Sequence, residues 1–290
     1  MSIIYNRFPT WLLLTVITVV LSGCDNFESS PYAAKITGNR NTLATSLATL
    51  SQREPGLPLR FAFITDTHDA IDEINAAIDI IRSRGNIDFI IHGGDMTDLG
   101  LPKEFMWCRD AMEKSELPFV TVIGNHDCLG NGEDSYEWIF GPKNYSFDVA
   151  GVHFVCLNTI ALEYDYSEPV PDLNFILKDA ESVAKTNKEH PGSITHTVIV
   201  MHSRPFDEQF NNNVAAPFLY YLQQYPGMKT EDGDDSYTKA FCLCGHNHNF
   251  QVTDLYDAGL LFYQGDNIAK RSFMIFTIDE DGYEMEKVEF

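Results

Sequence analysis

From Leu59 onward the chain alternates short, nearly continuous apolar runs with amphipathic stretches of helical period. The run LRFAFIT (59–65) leads into Ile71, Ile74, Ile78 and Ile81, a spacing of three and four that places one apolar stripe on a helix. DFIIHGGD (88–95), a helical pattern through Phe105 and Met112, and FVTVIGN (119–125) follow. Runs this short and this uniformly apolar read as strands covered on both faces. The order β-α-β-α-β then implies parallel pairing through right-handed crossovers. YSFDVAGVHFVCLN (145–158) has the form of a hairpin turning at Ala150-Gly151 and is expected to begin a second sheet. Later strands are predicted in THTVIVMH, AFCLCGH, QVTDLY, LLFYQG, FMIFTID and YEMEKVEF, which makes the fold class α/β.

The first 58 residues follow a different pattern. Arg7 precedes an eleven-residue apolar run, Trp11 to Leu21, which is too short to span a hydrocarbon core of about 30 Å but has the length of a signal-peptide core. Leu21-Ser22-Gly23-Cys24 comes next and resembles the lipobox of bacterial lipoproteins, in which cleavage precedes the cysteine and its thiol is acylated. That resemblance implies a signal peptide over 1–23 and a lipid on Cys24. It also implies residence in the bacterial cell envelope, with Asp25 favouring the periplasmic face of the inner membrane. Residues 24–58 are rich in Ser, Thr, Asn, Ala and Pro and read as a tether, with one short helix carrying Leu43, Leu47 and Leu50 on one face. The folded domain is expected over 59–290, a length that suits one α/β domain.

Charge narrows the partners. Twenty Lys and Arg stand against 42 Asp and Glu, a net charge of −22, so the surface repels polyanions and nucleic acid is a disfavoured partner. Beyond Cys24 the cysteines are Cys108, Cys128, Cys156, Cys242 and Cys244. Their odd number leaves at least one thiol unpaired, and Cys242 and Cys244 lie in an apolar run as small buried hydrophobes.

The polar residues with chemical potential share one setting, just beyond the C-terminal ends of predicted strands, where open α/β sheets bind ligands. They are Asp66-Thr67-His68, Gly94 to Gly100 (GDMTDLG), Gly124-Asn125-His126-Asp127, His202, and Gly245-His246-Asn247-His248. Together they offer carboxylate, imidazole and amide donors without sulfur, a set suited to Mn, Fe, Zn, Co or Ni and able to hold two ions. His92 reads as a buried strand-end histidine bonded to a carbonyl rather than as a further ligand.

The five segments, in this order, resemble the signature of the calcineurin-like metallophosphoesterases: DxH, GDxxxxG, GNH[DE], H and GHxH. The resemblance implies a four-layer αββα sandwich, two mixed β-sheets flanked by helices, with two divalent transition-metal ions at its rim. Carried over by position, Asp66, His68 and His248 hold the first ion, Asn125, His202 and His246 the second, and Asp95 bridges them. It further implies attack on phosphorus by a hydroxide shared between ions about 3.5–4 Å apart, with His126 donating a proton to the leaving group or bonding the transition state. Asp98 stands where protein phosphatases place the residue orienting that histidine, Asn125 also contacts substrate, and Arg204 is the nearest cation for a substrate phosphate.

Three departures bear on specificity. Leu99 stands where protein phosphatases carry a phosphate-gripping arginine, Asp127 replaces their glutamate, and Asp98 stands where purple acid phosphatases carry a tyrosine ligand. Phosphoprotein substrates and a tyrosinate-bound ferric ion are therefore not expected. The expectation is a dinuclear phosphatase or phosphodiesterase acting on a small or exposed phosphoester. The rival, a non-catalytic metal-binding lipoprotein serving as an envelope binding module, gives no reason to retain buried carboxylates and imidazoles converging on one place.

Overall fold

The computed structural model describes residues 30–54, 56–228 and 239–290. Cys24 and the apolar run before it lie outside them, and no helix among the described residues is long and apolar enough to cross a membrane.

Among the described residues eleven strands form two mixed sheets. In the first the order is β11-β10-β1-β2-β3, with β1 Leu59–Ile64, β2 Phe89–His92, β3 Phe119–Thr121, β10 Ser272–Ile278 and β11 Tyr283–Glu289. β1, β2 and β3 are parallel, as the β-α-β-α-β reading requires, while β10 and β11 join antiparallel. The second sheet runs β4-β5-β6-β7-β9-β8, with β4 Tyr145–Val149, β5 Val152–Leu157, β6 His196–Met201, β7 Ala240–Cys244, β8 Gln251–Asp254 and β9 Leu261–Gln264. It begins with the expected hairpin. Ala150 and Gly151 both take positive φ, the backbone twist a two-residue connection needs.

The sheets face each other across a core in which Phe61 stacks on Phe89 and Phe276 and meets Phe154 edge-on, with Phe147 stacked on Phe154. Outside the first sheet lie helices α2 (Ile71–Arg84), α3 (Pro102–Glu113) and α4 (Gly132–Ile139). Of the predicted stripe Ile71, Ile74, Ile78 and Ile81, the last three are buried there and Ile71 is partly buried. Outside the second lie α5 (Leu173–Glu189) and α6 (Ala215–Leu222). The result is the four-layer αββα sandwich. All five described cysteines are free thiols, and Cys242 and Cys244 are wholly buried.

The segment before Leu59 is more firmly placed than a tether would be. Its helix α1 (Thr42–Leu50) buries Leu43 and Leu50 in the core between the sheets. The Ser46 hydroxyl accepts the Phe119 N–H at 3.0 Å, so α1 covers the edge strand β3. Upstream, the buried Arg109 donates to the carbonyls of Thr37 and Asn39. The segment is sparse in apolar residues, yet two leucines suffice where a sheet edge waits to be closed.

One charged cluster lies apart from the strand ends. His153, almost wholly buried on β5, bonds Asp148 at 2.6 Å and Asp179 at 2.8 Å, and Asp179 also accepts from Ser146 and Tyr225. Burial alone would lower the His153 imidazole, but the two carboxylates outweigh it and raise it to about 9. A raised histidine contributes stability in full below its unfolded value near 6.5 and loses it as pH climbs through about 9. Urea unfolding at pH 6 and pH 9 should show a pH-dependent loss of about 2–3 kcal/mol that is absent from His153→Gln. The same loss in both proteins would remove His153 as its source.

Candidate metal centre

The five segments leave both sheets at the same end of the sandwich. Asp66 to His68 follow β1, Gly93 to Asp95 follow β2, Gly124 to Asp127 follow β3, His202 follows β6, and Gly245 to His248 follow β7. Main-chain bonds continue the pairing past the strands: Asp66 N–H to Gly94 O at 3.0 Å, His68 N–H to Asp95 O at 3.0 Å and Gly245 N–H to His202 O at 3.0 Å. These bonds hold an unusual backbone. Asp66, His68, Asp95, His246 and His248 all have positive φ, between 44° and 73°, a left-handed conformation that costs non-glycine residues about a kilocalorie or more each. It turns each chain sharply at the strand end, so residues two apart in DxH and HxH point inward together.

Three groups of donors result among the described residues: two share Asp95, and a third brings His68, Asp98 and His126 together. Asp66, His68, Asp95 and His248 bring one ligand atom each within 4.8 Å of one another, and so do Asp95, His202 and His246. In the first group His68 Nε2 lies 3.4 Å from His248 Nε2, which is 3.3 Å from Asp66 Oδ1. In the second, Asn125 Oδ1 lies 3.2 Å from His202 Nε2 and 3.0 Å from His246 Nδ1. Asp95 Oδ2 is 3.2 Å from His202 Nε2 and 4.0 Å from His68 Nε2, between the groups. All seven residues named as ligands from the sequence therefore converge. Close packing demands the neighbouring glycines: a Cβ on Gly124 would stand 2.2 Å from Asp95 Oδ1, and one on Gly245 2.4 Å from Asp66 Oδ2.

The donor chemistry fits divalent transition metals. Asp66, Asp95 and His202 are out of water, and the set is nitrogen and oxygen only. Burial opposes the Asp95 carboxylate, yet His202 and the His126 N–H hold its carboxyl below the ordinary range. Burial likewise opposes the His202 imidazolium, and Asp95 together with Asp66 raises it to about 10. His202 Nδ1 lies 2.8 Å from the Gly93 carbonyl, which fixes the ring with Nε2 inward. A cation entering here displaces the proton that His202 otherwise carries, so loading weakens as pH falls. His246 is lowered by burial and by His202 beside it, which favours the neutral imidazole that a metal would require.

The non-ligand residues fall less simply. His126 sits half-buried beside His68, ring centroids 4.9 Å apart, with its N–H on Asp95 Oδ1 at 2.9 Å. Its Nδ1 is 2.9 Å from the main-chain carbonyl of Asp98, not from the Asp98 carboxylate. That carboxylate lies instead 3.0 Å from His68 Nδ1. The expected pairing of the Asp98 side chain with His126 is thus replaced, because the tight turn at Asp98 points its carbonyl at one histidine and its side chain at the other. Arg204 is also diverted. Its guanidinium reaches Asp207 at 3.5 Å and Gln251 at 3.1 Å, which braces a loop, while its Nη1 is buried without a partner. His92 is buried and lowered by burial to about 3. It bonds the Thr67 hydroxyl and the Gly94 N–H in place of the expected carbonyl.

Asp127 belongs to the frame that holds the site. Wholly buried, it accepts from the N–H groups of Met96, Thr97 and Gly124 and from the Thr97 hydroxyl, stapling the GDMTDLG loop to GNHD. Burial and Asp95 push its carboxyl up to about 7, while the four donors pull it toward the ionised form. Thr65 likewise donates to Asp66 Oδ2 at 2.7 Å. Neither contact leaves a mark in sequence spacing.

With this geometry in view, similarity to known proteins is informative. A family model described as Calcineurin-like phosphoesterase matches residues 59–250. A probable cyclic nucleotide phosphodiesterase of Xenorhabdus bovienii is 25% identical over 109 residues, 36% of this chain and 43% of that protein, so the match spans less than half of the relative. Among solved structures, a dimetal phosphatase from Danio rerio superposes with TM-score 0.59 at 14% identity, covering 81% of this chain and 98% of that one. A purple acid phosphatase from Lupinus luteus gives TM-score 0.53 at 15% identity, covering 81% and 52%. Identities this low establish the common fold.

Asp95→Asn should cost more bound metal than loss of any terminal ligand, because the carboxylate lies between both groups and balances charge for each. Elemental analysis should find well under two equivalents. Two full equivalents with unaltered turnover would remove Asp95 from the bridging position.

Proposed function

Because the chain belongs to the calcineurin-like phosphoesterase family, whose chemistry is metal-dependent phosphoester hydrolysis, we propose that it is a dinuclear hydrolase of small or exposed phosphomonoesters or phosphodiesters. The observation that carries this reading is the pair of donor groups sharing Asp95, each with enough N and O donors for one ion. When bound, two divalent ions there supply an activated water and neutralise charge on the phosphoryl oxygens. The protein's own groups complete the reaction. Asn125 turns Oδ1 toward the second donor group, which leaves its amide Nδ2 as a donor for a phosphoryl oxygen. The Asp98 carbonyl accepts from His126 Nδ1–H, so Nε2 is the nitrogen free to face the leaving oxygen, to which it would deliver a proton from the imidazolium form.

A substrate panel tests the activity: p-nitrophenyl phosphate, bis-p-nitrophenyl phosphate, cyclic nucleotides and phospholipids, each with Mn and with chelator. At least one should be hydrolysed, with the activity lost on chelation and restored by Mn. Failure on every member by fully metal-loaded protein would overturn the reading.

His126→Ala separates proton transfer from metal binding. The variant should retain both ions, and its kcat should fall about 10²- to 10⁴-fold on an alkyl ester, whose leaving oxygen needs a proton. The loss on a nitrophenyl ester should be much smaller. Equal losses would reduce His126 to a positioning or electrostatic role, and lost metal would make it a ligand.

The envelope tether belongs to the same proposal and rests on LSGC after the eleven-residue apolar core. Acyl chains on Cys24 would hold the enzyme firmly at a membrane. Cys24→Ser should move the protein to the soluble fraction, whereas a variant still pelleting with membranes after a high-salt wash would end the lipoprotein reading.

A further inference from the structure

Asp98 contacts two neighbouring histidines of the centre through different atoms. Its main-chain carbonyl lies 2.9 Å from His126 Nδ1, and its carboxylate Oδ1 lies 3.0 Å from His68 Nδ1. The second nitrogen of His68 points the other way, 3.4 Å from His248 Nε2 and 4.0 Å from Asp95 Oδ2, toward the first donor group. The Asp98 side chain is about half exposed, at 47%, and its carboxylate also hydrogen-bonds the Asp69 side chain, next to His68 in sequence. A carboxylate on the far nitrogen of a metal-binding imidazole fixes its tautomer and ring angle and raises its basicity. His68 Nδ1 also lies 3.2 Å from the Thr97 carbonyl, which fixes the same tautomer but brings no charge.

We propose that Asp98 is a positioning residue whose side chain tunes the first metal position through His68, while its main chain independently sets the proton-donating His126. This rests on the two-metal reading above. It assigns to the side chain a task different from orienting the acid, and the two tasks are experimentally separable because Asp98→Ala keeps the carbonyl.

Mn(II) titration of the full chain, followed by calorimetry and by the electron paramagnetic resonance of free and bound ion, tests the assignment. Asp98→Ala should weaken one of the two sites by about 10- to 100-fold and leave the other near its original affinity. Asp98→Asn, which keeps an acceptor but no charge, should fall between Ala and the unaltered protein. The weakened site is identified by combination. Added to Asn125→Ala, Asp98→Ala should further depress the remaining ion, whereas added to His68→Ala it should change little. At saturating Mn, the ratio of alkyl-ester to nitrophenyl-ester turnover should stay at the unaltered value in Asp98→Ala, in contrast to His126→Ala. Unchanged affinity at both sites, weakening that persists in the His68→Ala background, or a changed leaving-group ratio would each overturn the assignment while the two-metal reading stands. Absence of metal binding by the unaltered protein would overturn both.

Discussion

Two carboxylates, Asp66 and Asp95, lie out of water within a few ångström of four imidazoles, in a chain that already carries a net charge of −22. Buried charge of this kind is tolerated only when paired, and without metal the pairing falls to a protonated His202. Much of the surrounding architecture follows from keeping these groups together. Glycines stand where a side chain would strike a candidate ligand, and five of the candidate ligand residues hold left-handed backbone. Asp127, also buried, ties two of the ligand loops with four hydrogen bonds. Strain, burial and loop closure all act to present donors to cations.

The sandwich makes this affordable because it brings the C-terminal ends of β1, β2 and β3 in one sheet to the same rim as those of β6 and β7 in the other. Each ligand loop is then anchored at a strand end and by bonds to its neighbours, some across the sheets, such as the His246 N–H on Asp66 Oδ1 at 3.0 Å. A site assembled from strand ends is held more precisely than one assembled from free loops, and precision of position is what phosphoryl transfer demands. The N-terminal helix takes part indirectly. By closing the edge at β3 it steadies the strand from which GNHD departs.

The residues beside the ligands show how a short motif can be chemically correct and yet incomplete. Asp98 and Arg204 both fall near the centre, but Asp98 turns its carboxylate to His68 and Arg204 turns its guanidinium to Asp207 and Gln251. In each case the choice of partner depends on side-chain direction at a tight turn, which spacing along the chain does not encode. The first sheet shows the same limit at a larger scale. The last two strands were legible as strands, but only packing joins β10 to β1, more than 200 residues away, with β11 outside it.

What the sequence determines by itself is local and chemical. Hydrophobic period identifies β1 to β3 with α2 and α3 between them, the hairpin at Ala150-Gly151 and the six later strands, since a buried strand and a one-faced helix leave different periods. The types and spacing of Asp66, His68, Asp95, Asn125, His202, His246 and His248 supply the nitrogen and oxygen donors of a candidate metal centre. Tertiary structure decides the matters that depend on distance in space: the division of strands between sheets, the burial of Leu43 and Leu50 in a segment that reads as a tether, the Asp127 staple, and the partner of every side chain with more than one acceptor in reach. Contacts such as Asp66 with His248 span 182 positions of chain, and such pairings take form only when the two sheets close on one another.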